Sequence, residues 1–148
     1  MGLDMNLYRR RYMMTSDVWK EEARHSIKIE RGGKPIDTSK VKFVIEEVGY
    51  WRKANHIHKW FVDNVQNGVD DCGTYTVSVE QLEALKKACE NVLSDHSLAE
   101  TLLPTTSGFF FGSTNYDKWY FEDIEHTIDV INEALSSDAD SFEYSSSW

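Results

Sequence analysis

The chain has 148 residues, of which 41% are hydrophobic and 13% aromatic, and its formal net charge is -9 at pH 7. This length allows one domain with a real core and is too short for two ordinary domains, so we predict a single domain over 1–148. The hydrophobic content excludes a disordered polymer. The sequence contains no apolar run of about 18 residues, so no membrane span is predicted. The first residues lack the apolar stretch of a secretory signal, which favours the cytoplasm.

The charge is divided unevenly along the chain. Residues 1–59 hold 13 Lys and Arg against 8 Asp and Glu, a balance of +5, whereas residues 60–148 hold 3 against 17, a balance of -14. Phosphate-backbone binding needs a broad basic face, so the acidic second part argues against general nucleic-acid binding. A local basic pocket is compatible with this balance, because charge focusing depends on nearby groups.

Apolar and polar residues alternate with a period of two in the first third of the chain, which predicts strands. A first strand is predicted from Leu3 toward Tyr12. A second alternating run, 26–31, is followed by Gly32-Gly33, and this order predicts a hairpin whose other strand is 41–48.

Helical periodicity replaces the alternation after Gly49. Apolar residues spaced along 52–66 predict an amphipathic helix with His58 on its buried side. At 100° per residue, its outer face is predicted to carry Arg52, Asn55, His56, Lys59 and Asp63.

The second half of the chain predicts two more helices. A short strand over 75–78 leads to Ser78, which with Gln81 fits a capping box opening a helix to about Ser94. Asp117 is the predicted N-cap of a long helix ending near Ser136. Its predicted buried stripe consists of Phe121, Ile124, Ile128, Ile131 and Leu135, and that of the preceding helix consists of Leu82, Leu85, Cys89 and Val92.

Two aromatic segments complete the predicted sheet. The run Phe109–Phe111, framed by Gly108 and Gly112, predicts a short central strand covered on both faces. Phe142–Trp148 predicts a last strand with an anchored end. We therefore predict an α+β fold, a mainly antiparallel sheet of four to six short strands packed with three helices.

The richest cluster of ligand-binding residue types lies at 50–60, which contains aromatic side chains, cations and two histidines but no acid. A helix N-terminus offers unpaired N–H groups, Arg forms a bidentate fork with phosphate, and Trp stacks on rings. This composition predicts a site for a small anionic, ring-containing ligand of the nucleotide type. The predicted ligand-binding residues are Tyr50, Trp51, Arg52, Lys53, Asn55, His56, Lys59, Trp60, Ser107 and Trp119. The alternative is that Trp51 belongs to the core and the cations only solvate an exposed face.

The sequence also offers candidate catalytic and metal-binding residues. A hydrolase or transferase with His56 or His58 as general base is one alternative. A nucleophile pair of Cys72 with His58, oriented by Asp71, is another. The two histidines differ by 200° on a helix and so do not face one ion, and we predict neither a metal nor a cofactor.

The chain resembles a family of small proteins encoded by tailed bacteriophages and some bacteria. Four stretches carry the resemblance: MGLDM, EVGYWRKANHIHKWFV, SGFFFGSTNYDKWY and SSSW. Some members carry a kinase-like name, but this chain lacks a Gly-rich phosphate loop ending in Lys-Ser/Thr. The resemblance implies an accessory role inside a bacterial cell, and by analogy the sequestering of a nucleotide signal of host defence. The expected partner is the small ligand, with no membrane; a homo-oligomer or a host enzyme inhibited by this protein are the alternatives.

Overall fold

The structure is a computed structural model that describes residues 2–13 and 27–148. Its six strands are β1 (Asp4–Tyr12), β2 (Glu30–Arg31), β3 (Lys34–Pro35), β4 (Phe43–Arg52), β5 (Thr74–Val77) and β6 (Ser141–Ser147). Four of them form an antiparallel sheet in the order β4-β1-β6-β5, and β2 and β3 form a separate hairpin. The predicted α+β class is confirmed.

Four helices pack against the sheet, namely α1 (Asn55–Asn64), α2 (Val79–Ser94), α3 (Ala99–Leu102) and α4 (Lys118–Leu135). The three long helices are those predicted, and α3 is an additional single turn. Within the described ranges, no helix combines the length and the apolar character needed to cross a membrane.

The first strand lies inside the sheet, between β4 and β6. Its alternation is the predicted one, with Leu3, Met5 and Leu7 fully buried. A bulge between Leu7 and Tyr8 shifts the register with β4 at Gly49. A Cβ at Gly49 would lie 2.4 Å from Val130 Cγ1, so glycine is what lets α4 approach the sheet.

The helix signals in the second half are confirmed. Ser78 and Gln81 form both hydrogen bonds of the capping box, and Asp117 accepts from the Tyr120 amide at 3.2 Å. The α2 stripe is buried as predicted. In α4, Ile124 and Ile131 are fully buried but the other three predicted positions are only partly buried, because α4 contacts both α2 and β4 and so buries a wider face. That face also includes Tyr120, Thr127, Val130 and Ala134.

The predicted pairing of 26–31 with 41–48 is wrong. Both turn glycines have positive φ (59° and 76°), which suits a two-residue hairpin loop, so β2 pairs at once with β3. Pro35 has no N–H to extend this ladder. The later run becomes β4 and pairs with β1 instead. Ser26, the first residue of the predicted strand, is outside the described residues.

The predicted helix start at Arg52 is also wrong, because β4 continues through that residue. The Lys53 amide donates to the Leu3 carbonyl at 2.7 Å, and Lys53 has φ 59°, a left-handed conformation that turns the chain out of the sheet. The helix begins at Asn55, three residues later than predicted.

The Phe109–Phe111 run is not a strand. Phe110 and Gly112 have positive φ, and Phe109 and Phe110 are exposed, while Phe111 alone is buried. The segment is part of a loop between α3 and α4. One backbone bond, from the Leu3 amide to the Phe110 carbonyl at 3.4 Å, reaches it from the residue preceding β1, and it forms no ladder with a strand of the described ranges.

Candidate functional site

The loop over 105–115 is fastened to the start of α1 by one buried side chain. Asn55 Nδ2 donates to the carbonyls of Phe111 (3.0 Å) and Ser113 (2.8 Å), and Asn55 Oδ1 accepts from the Thr106 amide at 3.0 Å. The loop is further closed by Thr105 Oγ1, which donates to the Thr114 carbonyl at 2.9 Å. Because buried backbone groups need partners, these bonds hold the loop in one path. Two hollows lie on either side of that path.

The first hollow, which we call the junction groove, has a volume of about 290 Å³. It lies between the turn from β4 into α1 and the first turns of α4, with loop residues completing its wall. Its principal side chains are Arg52, Lys53, His56, Asp117, Trp119 and Asp123.

The cations of the junction groove are only loosely engaged. The Arg52 guanidinium is more than half exposed, and its Nη1 lies 3.8 Å from Asp4 Oδ1. Asp4 also accepts from the Tyr50 hydroxyl at 2.5 Å. Lys53 has no ion-pair partner within the described part of the chain. Both charges therefore remain available to an anion.

An indole stands beside these cations. Trp119 is 69% exposed, and the Lys118 ammonium lies 5.6 Å from the centre of its ring. A large exposed aromatic side chain at the rim of a groove can stack on a ring of a ligand. This supplies the aromatic half of the predicted site, although from a different element than the Tyr50–Trp60 segment.

His56 forms the buried side of the junction groove and is uncharged at neutral pH. It is 3% exposed, and its ring lies 4.1 Å from that of Tyr120, centre to centre. Burial lowers the pKa of His56 to about 4, against the opposing effects of the Tyr120 backbone and Asp117. Its Nε2 is buried with no hydrogen-bond partner among the described residues.

Asp123 gives the junction groove an acid that titrates close to neutral pH. Burial raises the pKa of this carboxyl to about 6, although the charge of His126 works in the opposite direction. Asp117, the other acid of the groove, is engaged as the N-cap of α4. The negative charge of the groove therefore falls when the pH drops below about 6.

The second hollow, which we call the aromatic cleft, has a volume of about 370 Å³ on the other side of the 105–115 loop. Its walls include Phe109, Phe111 and Trp148, and its polar lining includes Lys59, Asp63, Asp70 and Ser107. His58 forms part of its inner surface.

A chain of hydrogen bonds runs behind the aromatic cleft. His58 Nδ1 lies 2.7 Å from the Tyr144 hydroxyl, and His58 Nε2 lies 2.9 Å from Asp70 Oδ2. Trp148 Nε1 donates to Asp70 Oδ1 at 3.0 Å. Because a carboxylate only accepts hydrogen bonds, Nε2 donates to Asp70, and Nδ1 is occupied by the Tyr144 hydroxyl. Both ring nitrogens are thus occupied, which leaves neither free to take a proton from a substrate.

The predicted site residues do not form one site. Arg52, Lys53, His56 and Trp119 meet at the junction groove, whereas Lys59 and Ser107 line the aromatic cleft. Trp60 is partly buried beside a smaller hollow of about 210 Å³ that His56 and Lys59 also border. The predicted cluster is divided because α1 starts late and its first turn is covered by the 105–115 loop.

Three predicted ligand contacts, Trp51, Asn55 and His56, are buried side chains. Trp51 is 2% exposed and its Nε1 donates to Thr127 Oγ1 at 2.9 Å, so it has no face open to a ligand. Asn55 and His56 were predicted on the outer face of the helix but are buried beneath the loop and α4. Tyr50 is exposed, although its hydroxyl is bonded to Asp4. His58 is buried, as predicted.

The Cys72 nucleophile arrangement is not formed. His58 is bonded to Asp70 and Tyr144, while Asp71 Oδ1 accepts from the Gly73 amide and the Tyr75 hydroxyl, both at 2.9 Å. Among the described residues, no group of three or more His, Cys, Asp or Glu side chains is arranged to hold a metal ion.

Asp70, Asp123 and Trp148 contribute to these hollows and were missing from the predicted site. Nothing in the local sequence distinguishes Asp123 from the other acids on the solvated side of α4. The local sequence indicates only a turn at Asp70. Its hydrogen bond with Trp148 joins residues 78 positions apart in the chain. Only the tertiary fold brings such pairs together.

Comparison of the chain with family models, curated protein sequences and solved structures finds no match. The functional argument therefore rests on the geometry of the two hollows.

Proposed function

We propose that the junction groove binds a small anionic ligand that carries a ring, of the nucleotide class. The observation that carries this proposal is the placement of two cations at a groove whose rim bears the exposed Trp119. Arg52 makes only a long ion pair of 3.8 Å with Asp4, and Lys53 has no ion-pair partner among the described residues. Arg52 would form a forked contact with a phosphate, Lys53 would add a point charge, and Trp119 would stack on the base.

The chemistry of the histidines favours binding over catalysis. A general base needs a ring nitrogen within reach of its substrate and a pKa near the working pH. His58 has both nitrogens occupied, and the pKa of His56 is lowered to about 4 by burial. Neither histidine meets this requirement, which supports ligand binding over a hydrolase or transferase that uses His56 or His58.

The biological role that we propose is an accessory one in a bacterial cell infected by a phage. It rests on the resemblance of the sequence motifs and on the proposed groove, since a protein that binds a nucleotide tightly lowers the free concentration of that signal. The groove of about 290 Å³ is at the small end of ligand sites, which suits a mononucleotide-sized portion of a ligand.

Calorimetric titration with cyclic adenosine monophosphate and with adenosine tests the proposal. The two share the base and differ in the phosphodiester, so we expect the nucleotide to bind at least about tenfold more tightly. Arg52→Ala should lower the affinity for the nucleotide by about tenfold and leave the affinity for adenosine unchanged. Trp119→Ala should lower the affinity for both compounds.

Lys59→Ala is the matched control, because Lys59 is a cation of the same segment whose ammonium lies 2.6 Å from Asp63 and outside the groove. Its affinity for the nucleotide should equal that of the parent protein. Equal affinities for nucleotide and nucleoside, or an Arg52→Ala protein that binds as before, would contradict the proposal.

A further inference from the structure

The aromatic cleft is a second site, separate from the junction groove and of different character. We infer that it binds a small organic cation, such as a quaternary or alkylated ammonium group. Its aromatic walls, its charges and its rigidity each point to this class of ligand.

Aromatic side chains form the walls of the cleft. Phe111 and Trp148 meet edge to face, with ring centres 6.0 Å apart, and the Phe109 ring is 66% exposed at the opening. The face of an aromatic ring carries partial negative charge, so rings around a small hollow attract a desolvated cation. The same faces provide no hydrogen-bond donor for an anion.

The Lys and Asp side chains of the cleft leave one carboxylate in excess. The Lys59 ammonium and Asp63 Oδ2 are 2.6 Å apart and compensate each other. Asp70 is the remaining charge, and the groups bonded to it are the His58 ring and the Trp148 indole. Both groups donate to the carboxylate and orient it, and 27% of the Asp70 side chain stays exposed.

The cleft is also formed before any ligand arrives. Tyr144 is fully buried and fixes His58, which in turn fixes Asp70 and through it the Trp148 wall. Asn55 pins the loop that carries both phenylalanines. A preformed site avoids the entropy cost of ordering its side chains on binding.

Choline and its uncharged carbon analogue 3,3-dimethylbutan-1-ol provide the test, since they have almost the same shape and differ in charge. In an NMR titration, choline should shift the indole N–H signal of Trp148, assigned by its loss in Trp148→Phe. The analogue should bind at least about tenfold more weakly. Equal binding of the two, or no shift with choline up to its solubility limit, would overturn the inference.

Three variants separate the parts of the site. Phe109→Leu keeps an apolar side chain without a ring and should weaken choline binding severalfold. Phe43→Leu, the same change at an exposed phenylalanine of β4 outside the cleft, should not. Asp70→Asn keeps the shape and removes the charge, so it should reduce the advantage of choline over its analogue. If Phe109→Leu binds choline unchanged, the aromatic face has no role and the inference fails.

Discussion

A single amide side chain, Asn55, connects α1 with the loop that separates the two hollows. All three of its hydrogen bonds reach backbone groups of that loop, and the residue is almost fully buried. Leaving buried backbone partners unsatisfied costs about 1–3 kcal/mol per group. We expect Asn55→Ala to lower the free energy of unfolding by about 3 kcal/mol in urea denaturation and to speed amide exchange in the loop. Asn64→Ala, whose amide contact with the Trp60 carbonyl is exposed, should cost far less.

The buried imidazole of His56 predicts a loss of stability in acid. Its folded pKa of about 4 lies below the ordinary 6.5, so the unfolded chain binds the proton more readily. The free energy of unfolding therefore falls as the pH drops from 6.5 toward 4, by about 2 kcal/mol at pH 5 from this group. The raised pKa of Asp123 acts in the opposite direction over the same interval.

The contribution of His56 is isolated by comparison with His56→Phe, which keeps a ring against Tyr120 and cannot titrate. The stability difference between parent and variant should shift by about 2 kcal/mol in favour of the variant between pH 7.5 and pH 5. A difference that does not change with pH would show that His56 is protonated equally easily in both states.

At the scale of elements, the closest approach is that of α4 to β4 at Gly49. An added Cβ would meet Val130 Cγ1 at 2.4 Å and the Trp51 ring at 3.0 Å, both of them in the core. Overpacking of this kind costs about 1–3 kcal/mol, so Gly49→Ala should destabilise the protein by that amount in urea denaturation. In a double-mutant cycle, Val130→Ala should recover part of the loss, and strict additivity would mean that the two side chains do not compete for space.

The elements themselves were largely predictable from local patterns. The alternation of β1, the capping box of α2 and the Asp117 cap of α4 involve residues within a few positions of one another, and each is confirmed. The start of α1 was not predictable from local patterns, because the Lys53 amide donates to the carbonyl of Leu3, fifty residues earlier. The prediction of a strand at Phe109–Phe111 is wrong for the same reason, since the Phe111 carbonyl is bonded to the side chain of Asn55, 56 residues earlier.

The candidate site depended even more on distant contacts. The contact of His58 with Tyr144 spans 86 residues. Local composition identified Arg52, Lys53 and Lys59 as candidate anion-binding cations. It could not show that Arg52 and Lys53 line the junction groove whereas Lys59 lines the aromatic cleft. That division is set by the path of the 105–115 loop.

For the whole molecule, the net charge of -9 makes anion capture dependent on local charge in the junction groove. Lowering the pH through about 6 protonates Asp123 and removes a negative charge from the groove that Arg52 also lines. Cyclic adenosine monophosphate keeps one fixed charge over this range, so its affinity should rise severalfold in calorimetry between pH 7.5 and pH 5.5. Asp123→Asn should bind as tightly at pH 7.5 as the parent does at pH 5.5 and lose most of the pH dependence. An affinity that falls on acidification, or a variant with an unchanged profile, would mean that Asp123 does not face the bound anion.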